Sequence, residues 1–92
     1  MANHQSALDK VRRARFENEI FDIMQQRQPR DHQLMLAFAQ KSDAFVQLRR
    51  EVIDHYYFDQ RHLSPLFCVD AVTRLVQQVL ATMQVGLQQQ AA

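Results

Sequence analysis

Toward the C-terminus, apolar residues recur at Val69, Val72, Val76, Val79 and Met83, at alternating spacings of three and four. That rhythm follows the 3.6-residue period of an α-helix and lays one apolar seam along it, so a chain built around it folds as helix upon helix. A strand would need strict alternation, which VQQVLATMQV lacks. After Arg74 no charge of either sign follows, and Gln77, Gln78, Thr82 and Gln84 are left for the outer face. Helices that face water normally carry charge, so this one is expected to be largely covered. Leu75, Leu80 and Leu87 widen the apolar arc beyond what one neighbour covers. Two contacts are predicted, one within the domain and one across a homodimer or to another protein, with Val69, Val72, Val76, Val79, Leu80 and Met83 as the interface.

A chain of 92 residues is one domain. At that size folding hides only about 60–65% of the unfolded surface, which makes a thin core and favours self-association. An apolar fraction of 47% excludes a disordered chain, and one glycine with two prolines leaves few sites for tight hairpins. Eleven Lys and Arg against ten Asp and Glu give no global field that would draw the protein to nucleic acid or to an anionic membrane. The lone Cys68 excludes an intrachain disulfide and suits a reducing compartment. Residues 1–20 lack the apolar stretch of a signal peptide and no run is expected to span a bilayer, so the reading is cytoplasmic, with no membrane partner.

The predicted organisation is all-α, a small four-helix domain spanning residues 1–92. Ser6 is the expected cap of a first helix over residues 6–27, with Leu8, Phe16, Ile20, Ile23 and Met24 inward and Pro29 ending it. Asp31 caps a short second helix over 31–40 that carries Leu34, Met35 and Phe38. Ser42 or Asp43 opens a third over 42–60 with a stripe of Phe45, Leu48, Val52, Ile53 and Tyr56. Ser64-Pro65 is a strong start signal for the fourth, over 64–85, because serine accepts an orphan N–H and proline suits the first helical position. Gly86 is the expected C-terminal cap, with a frayed tail over 86–92.

Glu51, His55, Asp59 and His62 follow at spacings of four, four and three, and a continuous helix would align them. Imidazole and carboxylate are ligands of zinc and iron. A straight row cannot enclose an ion without a facing helix, however, and the ExxH signature of diiron bundles is absent. No metal and no cofactor are expected. A phosphotransfer histidine would have a lysine and a glycine close behind it, whereas Tyr56, Tyr57 and Phe58 follow His55. The basic cluster Lys10, Arg12, Arg13 and Arg15 has Asp9, Glu17 and Glu19 at pairing distance, so nucleic acid is only an alternative partner. No nucleophile accompanies a base and an oxyanion loop, and with Gly86 as the one glycine a phosphate loop is excluded. No catalytic residue is assigned.

Phe58 falls on the helical face of Glu51, Asp54 and His55, where a large ring has no reason to sit unless something covers it. Tyr57, Phe58, Arg61 and His62 therefore form the expected partner-binding patch, with the rings as anchors and the basic groups as rim. The reading is a non-catalytic interaction module, a small regulator, anti-activator or chaperone-like adapter that covers a hydrophobic surface on a protein partner. A dimeric nucleic-acid-binding regulator using the first helix is the alternative, and a metal-dependent helical protein the third.

Overall fold

The computed structural model describes residues 7–91, and side chains from Ala7 to Gly86. The described chain is all-helical: α1 spans Ala7–Arg27, α2 Pro29–Lys41, α3 Asp43–Asp54 and α4 Pro65–Ala91, with a five-residue π-helix, His55–Asp59, extending α3. The start signals at two boundaries act through visible hydrogen bonds. Phe45 N–H donates to Ser42 Oγ at 3.1 Å at the head of α3. Leu66 N–H donates to Ser64 Oγ at 3.2 Å where α4 begins, and Pro65 takes the first helical position, where its missing N–H costs nothing.

Other boundaries differ from the sequence expectation. Pro29 opens α2 instead of only ending α1, and Gln28 is the single residue between them. Proline stands at N1, so the second helix starts two residues before Asp31, whose carboxylate accepts a hydrogen bond from Gln77 Nε2 on α4. The expected cap at Ser6 lies outside the described residues. At the far end α4 does not stop near Val85. It continues through Gly86 to Ala91, and Gly86 does not take the left-handed conformation of a C-terminal cap.

The core is thin and wholly apolar. Ile20 and Met24 of α1, Met35 of α2, and Phe45 and Ile53 of α3 close around Cys68, Val69, Val72 and Val76 of α4, and no polar or charged residue is buried with them among the described residues. Helix α4 packs against each of the other three, whereas α1 meets α2 and α4, and α3 meets α2 and α4. Leu8, expected inside, is 57% exposed. Leu48 of α3 is likewise exposed.

Pro65–Gly86 is long and apolar enough to cross a membrane by length and composition, which corrects the expectation that no run reaches that size. In this fold the row Cys68, Val69, Val72 and Val76 on that segment is core, while only 22% of its most apolar stretch is buried, so much of its apolar surface is open.

Gly86 sits inside a helix with nothing within 4 Å of where a Cβ would be. Alanine there loses less backbone freedom on folding and meets no clash. Gly86→Ala is therefore expected to stabilise the end of α4 by about 0.5–1 kcal/mol, visible as higher helicity in circular dichroism and a raised Tm.

Candidate functional site

Val69, Val72 and Val76 are 0–1% exposed in the single chain. They were expected to face a second chain, but the chain's own helices already enclose them. The covered seam is thus the core seam, and the surface open to a partner lies round the helix from it. Val79 and Leu80 are half-buried and Met83 is 50% exposed.

That open surface is an apolar groove between α3 and α4, which run antiparallel. Its first part, a cavity of about 240 Å³, is lined by Phe38, Phe45, Leu48, Val79 and Met83, with Lys41 its one charged residue. The second part, about 330 Å³, is lined by Leu48, Val52, Tyr56, Ala71 and Leu75, with Glu51 and His55 at its edge. Leu48 belongs to both and joins them. Sequence reasoning placed Leu48 and Val52 on an inner stripe and missed that the stripe is wider than the core it serves. The signal was present, since Ala44, Leu48, Val52 and Tyr56 repeat every fourth residue.

The aromatic residues at the end of α3 lie in the π-helix, and both tyrosines line one cavity. Tyr56 edges toward α4 and the core, while the Tyr57 ring meets Phe16 of α1 at 5.5 Å and the edge of Phe58 at 4.8 Å. The Tyr57 hydroxyl donates to Asp9 at 3.4 Å. Arg61 lies over the Tyr57 ring at 4.6 Å and its Nε donates to the Tyr57 carbonyl at 2.8 Å. Phe16, Tyr56, Tyr57, Gln60, Arg61 and Leu63 face a cavity of about 310 Å³ at this end of the bundle. Of the expected patch, Tyr57 and Phe58 are half-buried against each other while Arg61 and His62 are exposed.

The acidic and imidazole row does not close on itself. His55 Nδ1 and Asp59 Oδ2 approach to 3.3 Å, both exposed, and His62 lies in the turn after the π-helix. Among the described residues no group of three or more His, Cys, Asp and Glu side chains is placed to hold a metal ion. The basic cluster is also divided. Arg13 turns inward, donating from Nε to Asp54 at 2.6 Å and from Nη1 to Glu17 at 2.9 Å, which ties α1 to α3. Burial works against its charge, yet the hydrogen bonds to Asp54 and Glu17 outweigh that and raise its pKa. Arg49 lies over the Phe21 ring at 4.9 Å, and burial lowers its pKa against the pull of Glu17.

Compared with protein-family models, with curated proteins and with solved structures, the chain finds no match in any of the three.

Cys68 is fully buried, and burial pushes its thiol up to about 12 against the opposing charge of Arg13. A protonated, enclosed thiol is neither a nucleophile nor a ready partner for a disulfide. At pH 8 the native protein is expected to react with an aromatic disulfide reagent far more slowly than the urea-unfolded chain. The thiol also sets a sign for alkaline stability. From pH 9 to about 12 the unfolded chain releases a proton that the folded chain keeps, so stability falls across that window. Fast native labelling at pH 8 would show that the core around Cys68 opens readily.

Proposed function

We propose that the protein is a non-catalytic interaction module, a small regulator, anti-activator or chaperone-like adapter, that pairs as a homodimer and covers a hydrophobic surface of a partner protein. The observation that carries this reading is the α3/α4 groove. A 92-residue chain keeps Leu48 and Met83 at 47% and 50% exposure along one continuous apolar channel, and α4 has no charge after Arg74 to solvate its flank. Contiguous apolar surface of this kind on a soluble domain marks a place where another macromolecule lies. Grooves between two helices take a third helix or a helix pair through apolar side chains spaced three and four apart.

Pairing and target binding use neighbouring surfaces in this reading. The groove serves the second copy, and the patch of Tyr57, Phe58, Arg61 and His62 lies beyond its end, with the two rings half-buried and the two basic residues exposed. Aromatic anchors rimmed by arginine are typical of the few residues that carry most of an interface's affinity. Inward orientation of Arg13 takes the middle of the basic cluster away from any phosphate, which favours a protein partner over a nucleic acid.

Light scattering is expected to give a dimer for the parent at micromolar concentration. Leu48→Glu should give a folded monomer, because the position is exposed in the single chain but a charge buried there without a partner costs several kcal/mol. A parent that stays monomeric would remove the pairing. Phe58→Ala should leave the dimer intact and weaken capture of the target, identified by tagged pull-down and mass spectrometry, by more than about 1 kcal/mol. Unchanged capture would move the docking patch elsewhere, and unfolding would make Phe58 a structural ring.

A further inference from the structure

We infer that the α3/α4 groove is closed by a second copy of this chain lying antiparallel to the first, α3 upon α3 and α4 upon α4, about a two-fold axis level with Leu48. This rests on the pairing proposed above and specifies its geometry.

The groove's two parts are alike in form and opposite in charge. Going one way along α3 and the other along α4, Ala44 and Met83 stand at one end, Leu48 and Val79 next, then Val52 and Leu75, then Tyr56 and Ala71. Twelve residue steps of α4 from Ala71 to Met83 give a channel about 18 Å long, with Leu48 and Val79 one turn in from its Met83 end. Lys41 is the charged residue of one part, while Glu51 and the His55–Asp59 pair border the other.

With the helices of the two copies kept aligned, two such faces can meet about a two-fold axis in two ways. An axis along the helices sets Lys41 beside the partner's Lys41 and Glu51 beside the partner's Glu51. An axis across the helices carries each Lys41 to the partner's Glu51 and Asp59. Opposite charges meet only in the second arrangement, and every contact occurs twice because the interface is isologous. The face is complementary to itself, which is why a second copy is the occupant.

Two sets of variants test this on the full chain. Leu48→Cys should cross-link efficiently to a second copy through a short bifunctional maleimide, while Leu8→Cys on α1 should not, with the buried Cys68 silent in both. Lys41→Glu and Glu51→Lys should each raise the dimer Kd roughly tenfold, and the double variant should restore it to near the parent value. A parent that sediments as a dimer, with Leu48→Cys uncross-linked and Kd indifferent to both charge reversals, would overturn this geometry and leave pairing by another face. A parent that remains monomeric at high micromolar concentration would overturn the geometry and the pairing together. If that monomer also floats with zwitterionic phospholipid vesicles, the face belongs to a lipid surface.

Discussion

The fold depends on one row of α4, Cys68, Val69, Val72 and Val76, because α4 touches every other helix and these four supply nearly half of the buried core. Its side chains are short, so α1, α2 and α3 can approach closely and seal the row from water with Ile20, Met24, Met35 and Ile53. Branching at Cβ makes valine a weak helix former, and here burial overrides that preference. No polar or charged residue belongs to the described core, so inside it shape and apolar contact set the register. A central helix with three neighbours can give each only part of its circumference. What remains is the flank that bears Leu75, Val79 and Met83.

The four helices and their order were legible in the sequence because the signals that specify them are local. Ser42 and Ser64-Pro65 act within one turn of their own position, and the hydroxyls and ring that suggest a boundary are the atoms that make it. Other features depend on distant parts of the chain. Pro29 both ends a helix and begins the next, and only the packing of α1 on α2 decides that a single residue, Gln28, suffices between them. Gly86 reads as a stop, but a glycine stops a helix only where the backbone turns left-handed, and here it keeps on. The apolar arc of α4 was correctly seen as too wide for one neighbour. Which part of the arc faces inward could not be read from periodicity, since the rows through Val72 and through Val79 are equally apolar. The structure gave the inner place to Val69, Val72 and Val76.

Among the polar contacts of the described residues, those of Arg13 tie α1 to α3. Helices α1 and α3 meet little directly, and its guanidinium spans the gap to Asp54 while Glu17 holds it from its own helix. An exposed ion pair contributes little, but the Arg13 side chain keeps only 17% of its surface in water and has two acceptors, which places it above the usual surface pair. The sequence showed it as one member of a basic run. Its inward turn follows from helical geometry, since Arg13 shares a face with Phe16, Glu17 and Ile20, whereas Arg12 and Arg15 point to solvent.

The π-helix joins the two surfaces that the bundle leaves open. In the π-helix Tyr57 packs against Phe16 and Arg61, while Tyr56 lines both the far end of the groove and the aromatic cavity. The ring of Tyr56 is therefore a wall common to the two sites. Insertions of this kind in α-helices recur at functional positions because they move a side chain without ending the helix. Here the insertion falls where a core stripe gives way to a surface cluster, so the α3/α4 groove and the aromatic cluster stand side by side with Tyr56 between them.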